Sequence, residues 1–424
     1  MPGLLDLPPE LRDEIYSYVV SPYGIRHPLS DGETYLYDYS SAVPLLRVNR
    51  QIYRESRKVF YALNTFVRIR TPWEQARYYV AHEGNISIIP LGDEVAARFN
   101  SHSLLVTIEA SYSLGDSEYD GPAMHEFVVL VQTGDLARFC RSWYYSSINM
   151  PALNGHLTLT LALRDPYTSS SPFPAADGTA TPSLPRGLQS RLLDPFGQIK
   201  GLQKLVIAQP DASNHLIAPA PDVYEKLVET MNIPLDPPHV CLTRATALKE
   251  AGNAALAANR FADAITHYNA AFHEIHILIN GKDRRVHGDQ FFERTITAPG
   301  AFQGQHAGTA RTILRVRLVA NTVLAYLKMK DYEMAIHTGM RTIGIIRGSI
   351  GLDEEDGAND PTMEAMLGFP AAGEMGKIYY RTGMAFKAMD ETAEARKLLK
   401  VAAVYLPHDK IVERDLASVA LRLS

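Results

Sequence analysis

The sequence predicts an α+β N-terminal module followed by an all-α superhelix of paired helices. Two observations predict it. Between residue 66 and about 240, short β-branched runs bounded by turn residues alternate with amphipathic stretches. From about Leu242 onward the strand signals vanish, and Ala- and Leu-rich helical periodicity takes over. A chain of 424 residues is long for one domain, which agrees with this division.

Composition excludes several classes. Lys and Arg number 42 against 47 Asp and Glu, a net charge of −5, which argues against a general nucleic-acid or acidic-membrane binder. The two cysteines, Cys140 and Cys241, are far apart, so neither a disulfide framework nor a zinc site is expected, and a reducing compartment fits. The stretch MPGLLDLPPELRDE has no basic region followed by an apolar core, so no secretory signal is expected. No run approaches the ~18 uninterrupted apolar residues of a membrane span. The expected compartment is the cytoplasm or the nucleus.

Residues 1–65 read as helices. LDLPPELRDEIYSYVV has an acidic, Pro-marked start, then apolar residues at Leu11, Ile15, Tyr18 and Val19. VPLLRVNRQIYRESRKVFYALNTF repeats the pattern with Leu46, Ile52, Tyr53, Val59 and Phe60, after a polar loop over about 22–42. Residues 66–240 carry five strand signals, FVRIR, SLLVTIEA, HEFVVLVQ, HLTLTLAL and LQKLVIAQ, and two helical ones, DLARFCRSWYYSSI and DVYEKLVETM. The Ser-, Pro- and Thr-rich stretch 165–185 reads as a mobile loop, and NIPLDPPHV as a linker.

Residues 242–424 contain three copies of one pattern. In LKEAGNAALAANRFADAITHYNAAF, Gly252 and Ala255 sit where two helices cross, Phe261 at the turn, and Ala264, Tyr268 and Ala271 along the second helix. LVANTVLAYLKMKDYEMAIHTGMRTIG places Tyr326, Tyr332 and Ala335 at the same offsets, with Val323 and Gly339 as departures. KIYYRTGMAFKAMDETAEARKLLKVAAVYLP matches at Gly383, Phe386, Ala395, Leu399, Ala402 and Pro407, with Thr392 instead of a turn aromatic. The pattern resembles the tetratricopeptide repeat, a 34-residue helix pair. The resemblance implies repeats over about 245–278, 316–349 and 376–409, and a capping helix over 410–423. Insertions near 280–310 and 350–375 separate the copies. A prolonged second helix in the first repeat, FHEIHILI, resembles the arrangement in large immunophilins.

Such repeats line a groove with their first helices, where positions 2, 5, 6 and 9 share one face. In the register set by the Gly, Ala and aromatic positions, these places hold Lys249 and Asn253, then Asn321, then Lys377 and Arg381. Lysine gives a point charge, arginine a planar fork, and Asn amides neutral donors, a set suited to a peptide's free carboxylate. Singly, each is an ordinary residue of a solvated helix face. Each has roughly a one-in-twenty chance from usage, so chance rarely supplies all five. The set resembles the dicarboxylate clamp of co-chaperones, which implies binding of the Glu-Glu-Val-Asp tail of a cytosolic heat-shock chaperone. The acidic run LDEEDG is a solvated loop or a competitor for the clamp.

The front end resembles the F-box-like domains common in filamentous fungi. That resemblance implies docking on a ubiquitin-ligase adaptor through Leu7, Pro8, Leu11, Ile15 and Val19; the alternative is that these residues pack on residues 66–240, as one unit with 1–65. Other signals carry no chemistry. FHEIHI lacks the HExxH zinc spacing and puts its histidines on the prolonged helix, GEMGK lacks phosphate-loop spacing, and no strand precedes PGAFQGQHAG. No enzyme, metal or cofactor is expected. The expected function is a chaperone-binding adaptor; the alternatives are a substrate receptor of a ubiquitin ligase and a repeat scaffold for an unrelated partner.

Overall fold

The computed structural model describes residues 3–22, 26–28, 35–40, 42–89, 93–111, 127–166, 184–210, 216–352 and 360–419. Most of the Ser- and Pro-rich loop after Pro166, the acidic run beyond Leu352 and the end of the capping segment lie outside these residues. The chain forms two units, Met1–Leu235 and Asp236–Ser424.

In the first unit, helix α1 (Pro9–Val20) starts with Pro9 in its first turn, where a missing N–H costs nothing. Helix α2 (Arg50–Leu63) is capped by Asn49, whose side chain accepts from the Ile52 N–H at 2.8 Å. The inward face of α1 is not the apolar stripe read from the sequence. It is Arg12, Tyr16 and Val20, one residue further round. The cause is polar: Arg12 forks onto Glu55 of α2 at 2.7 and 2.9 Å, and the Tyr16 hydroxyl donates to the same carboxylate at 2.9 Å. These bonds, Arg12's foremost, pull the Glu55 carboxyl down to about 2.

The segment read as a polar loop contains two short strands, Arg26–Pro28 and Tyr35–Tyr37, paired antiparallel. Tyr37 is buried, and its hydroxyl donates to Asp135 at 2.7 Å. Asn64, fully buried, donates to Val20 O at 2.8 Å and accepts from Tyr39 and Gln132. Residues 1–65 and the sheet thus share one hydrogen-bonded interior.

The sheet contains β1 (Phe66–Thr71), β2 (His102–Ala110), β3 (Phe127–Gln132), β4 (Leu157–Arg164), β5 (Lys204–Ile207) and β6 (Leu216–Ile217). Its order is β3-β1-β2-β4-β5, with β6 also on β4. It is mixed: β1 runs parallel to β2, β4 runs parallel to β5, and the other pairs are antiparallel. Alternating residues such as Val67, Ile69, Leu104, Val106, Leu159 and Leu161 share a core with Leu136, Phe139 and Trp143 of helix α3 (Thr133–Asn149). Helices α4 (Arg186–Leu193) and α5 (Pro221–Asn232) add Leu192, Leu193 and Leu227 to the same core.

The second unit is built of helical hairpins: α6 (Pro238–Ala257) with α7 (Phe261–Glu274), α8 (Ala307–Met329) with α9 (Tyr332–Ser349), and α10 (Ala372–Ala388) with α11 (Thr392–Tyr405). Helix α12 (Lys410–Ser418) packs on α11. The first helix of each pair touches that of the next, α6 to α8 and α8 to α10. All three turns hold a left-handed residue at the same offset, Asn259 (φ 58°), Lys330 (φ 62°) and Asp390 (φ 64°). The first helices begin at Pro238, Ala307 and Ala372, upstream of 245, 316 and 376. Pro238, read as linker, is the first helical residue of α6.

The prolonged second helix of the first pair does not form. Helix α7 ends at Glu274, His276 turns left-handed (φ 57°), and the chain continues into strands β7 (Ile277–Asn280) and β8 (Asp283–Val286). His276 therefore lies beyond the helix, buried against Phe291 and Phe292. The reason lies in alternating Ile275, Ile277 and Ile279, a strand pattern, and in Gly281 (φ 58°), which opens the two-residue hairpin loop. Arg311 of α8 holds the start of this insertion through Ile275 O at 3.0 Å and Asp289 at 2.7 Å. In the second insertion Glu364 is buried against Arg347 at 3.1 Å, and Tyr379 donates to it at 3.0 Å.

A depressed carboxyl stabilises the fold above its ordinary range and loses that contribution as pH falls. Glu55→Gln should therefore flatten stability against pH between 4.5 and about 2 relative to the unchanged chain, in urea midpoints taken across that window. Lys330→Gly should relieve the left-handed turn and stabilise by about 0.5–1 kcal/mol in urea unfolding.

Candidate functional site

The crossing of α6 and α7 positions the first half of the site. A Cβ on Gly252 would strike the ring of Tyr268, so the ring lies directly against the α6 backbone. From there the Tyr268 hydroxyl donates to Asn253 Oδ1 at 3.0 Å. The same oxygen accepts from Asn321 Nδ2 at 2.8 Å, which joins α6 to α8. With its oxygen doubly used, Asn253 presents its amide N–H groups outward. Burial pushes the Tyr268 hydroxyl up to about 12, so it is a donor at neutral pH.

Arg381 reaches the site from α10. Its guanidinium donates to Ala320 O, the carbonyl next to Asn321. Burial pulls Arg381 down to about 10, and Tyr268 is near enough to favour its charge. Lys377, one turn earlier on α10, is exposed and makes no hydrogen bond or ion pair among the described residues. Lys249, one turn before Asn253, pairs with Glu250 at 2.8 Å. Lys249, Asn253 and Asn321 are therefore linked through named bonds, Arg381 is bonded beside Asn321, and Lys377 stands on the same helix as Arg381.

Sequence reasoning missed Glu250. Its carboxylate takes the Lys249 ammonium and, at 3.0 Å, the Asn253 amide. These two bonds, that of Lys249 first, lower its pKa. The Lys249 side chain is 12 % exposed and that of Glu250 is 60 % exposed, so the acid lies over the cation from the solvent side. The pair is open to solvent on the Glu250 side alone, and from that side another carboxylate can displace it. The donors thus already hold a carboxylate, the group their chemistry suits. Sequence reasoning also missed Arg317, four residues before Asn321 and so on its face, which pairs with Glu374 at 3.7 Å.

None of the front-end candidates is buried. Pro8, Leu11 and Ile15 are exposed, and Leu7 and Val19 are partly covered. Leu11, Ile15 and Tyr18, the last 72 % exposed, form an outward apolar stripe on α1. Elsewhere in the first unit, Ile69, Trp73, Val80, Phe139, Trp143 and Leu153 line a cavity of about 710 Å³ that no sequence signal announced.

Among the described residues no group of three or more His, Cys, Asp or Glu could hold a metal, and no helix is long and apolar enough to cross a membrane. Comparison with protein-family models, curated proteins and solved structures finds no match to this chain.

Asn253→Ala should leave the buried Tyr268 hydroxyl and the Asn321 amide without their acceptor and cost about 1–3 kcal/mol in urea unfolding. Lys249→Ala, which loses a pair screened by solvent on the acid's side, should cost less than Asn253→Ala, on the order of 1 kcal/mol.

Proposed function

We propose that the helical unit receives the acidic C-terminal tail of a partner protein, of the Glu-Glu-Val-Asp type borne by cytosolic heat-shock chaperones. On this reading the protein is a co-chaperone-like adaptor of the cytoplasm or nucleus, with a tetratricopeptide-repeat groove and no enzymatic role. The observation that carries it is the Glu250 carboxylate seated on Lys249 and Asn253. A side chain of the protein itself occupies the donors that a peptide carboxylate would take. Lys377 and Arg381 supply a pair of cations for a second carboxylate.

Binding proceeds by exchange. The incoming terminal carboxylate replaces Glu250 on Lys249 and Asn253, with Asn321 beside them. An acidic side chain of the same tail engages Lys377 and the remaining N–H groups of Arg381. A second reading, a substrate receptor docked on a ubiquitin-ligase adaptor, is favoured by one observation: Leu11 and Ile15 face outward on α1. Co-purification of that adaptor with the full chain, lost in Leu11→Asp/Ile15→Asp, would support this second role.

Calorimetry on the full chain with a tail peptide tests the first reading. Charge-assisted hydrogen bonds contribute about 1.5–3 kcal/mol, so Lys377→Ala, Arg381→Ala and amidation of the peptide should each weaken binding roughly tenfold or more. Glu250→Gln should tighten it. No binding of the unmodified peptide, or binding indifferent to amidation, would overturn the reading in favour of a scaffold for an unrelated partner.

A further inference from the structure

The hairpin of β7 and β8 carries a buried arginine that no carboxylate among the described residues pairs with. Arg284 is 8 % exposed. Its guanidinium lies over the Phe272 ring at 5.0 Å, and its Nε and Nη1 are buried with no hydrogen-bond acceptor. Arg341 of α9 approaches from the side and donates to the Arg284 carbonyl at 2.6 Å. Burial foremost, and then the nearby charges of Arg315 of α8 and of Arg341, oppose ionisation of Arg284. Among the described residues the Tyr326 phenol favours the charge of Arg284 but no carboxylate does, and Asp289, which acts on Arg315, is already bonded to Arg311.

Arg311 provides the internal comparison. It is as buried as Arg284, yet its guanidinium reaches Ile275 O, His287 O and Asp289 and lies over Phe292 at 4.6 Å. The same neighbourhood therefore gives one buried arginine a carboxylate and two carbonyls, and leaves another with an aromatic face but no carboxylate, beside two like charges. A buried cation without a counter-charge is strongly destabilising, and neighbouring cations add to the cost. A bound anion offsets both.

We infer that Arg284, Arg315 and Arg341 form a binding site for a small polyvalent oxyanion of the phosphate class. Guanidinium forks match phosphate oxygens two at a time, and three cations suit a group carrying more than one negative charge. Arg341 is exposed, Arg315 is half-buried and Arg284 is buried, so the three charges run from solvent inward. The site is separate from the five-residue patch. Arg315 precedes Asn321 by six residues, which sets the two about 120° apart around α8.

The test is calorimetry and thermal unfolding of the full chain with sodium pyrophosphate, against sodium chloride at matched ionic strength. Pyrophosphate should raise the unfolding midpoint where chloride does not. Arg341→Gln and Arg315→Gln should each weaken pyrophosphate binding about tenfold or more, whereas Lys377→Ala should leave it unchanged. Inorganic phosphate and inositol hexakisphosphate form two further arms. Tightest binding of the latter assigns an organic polyphosphate, and tightest binding of pyrophosphate a free inorganic one. No midpoint shift at millimolar pyrophosphate overturns the inference, as does binding indifferent to Arg341→Gln. Binding lost in Lys377→Ala would assign the anion to the other patch and also overturn it. If Arg315→Gln fails to fold, exposed Arg341 carries the test alone.

Discussion

The close approach of Tyr268 to Gly252 governs the helical unit. With no side chain at Gly252 the tyrosine ring can lie on the α6 backbone, and its hydroxyl then falls within reach of Asn253. One crossing thereby fixes which face of α6 is spent on α7 and which is left for Lys249 and Asn253. It also sets the orientation of the Asn253 amide, because the oxygen is held and only the N–H groups remain. The third pair uses the same device, with Leu399 packed beneath Gly383. The second inverts it. Val323 is large and buried where the others have glycine, and Gly339 is small because Thr382 of α10 occupies the space its Cβ would need. The departure at Gly339 is thus a steric consequence of the neighbouring helix.

The insertions are tied down by charge. Arg311 secures the first and the buried Arg347–Glu364 pair the second, with Tyr379 completing the Glu364 carboxylate. Tyr405 stacks on Tyr379 at 5.7 Å and donates to the Glu364 carbonyl, so the second insertion shares the interior of the α10/α11 pair. Breaking such a pair strands a charge, which gives these connections a defined position despite little regular structure.

What was legible follows from what periodicity encodes. The five strands and the helical hairpins were readable because buried residues recur with period two or 3.6. The crossing of α6 and α7 was readable for the same reason, since Gly252, Ala264 and Phe261 mark it independently of the polar residues. The inward face of α1 was not legible because periodicity counts apolar residues, while the interior of this helix pair is an Arg12–Glu55–Tyr16 network. Asn280-Gly281 was an available hairpin signal, overridden by helical continuation through FHEIHILI. Glu250 was invisible for a different reason. An acid beside a lysine on an exposed helix is commonplace, and only geometry shows that it also takes the Asn253 amide. Arg284 could not be found at all, because its lack of a carboxylate partner is a property of three elements distant in sequence.

The occupied donors bear on selectivity under the proposed function. Glu250 supplies a single carboxylate at no entropic cost of association, so a ligand offering one carboxylate gains little by replacing it. A ligand with two acids at the right separation gains more, because it engages Lys377 and Arg381 in the same event, out of reach of the bonds Glu250 makes. The second engagement is intramolecular once the first has formed, which multiplies rather than adds the two affinities. An internal competitor of this kind raises the threshold for single carboxylates while leaving paired ones favoured, and so discriminates a diacidic tail from the many lone acids of a protein surface.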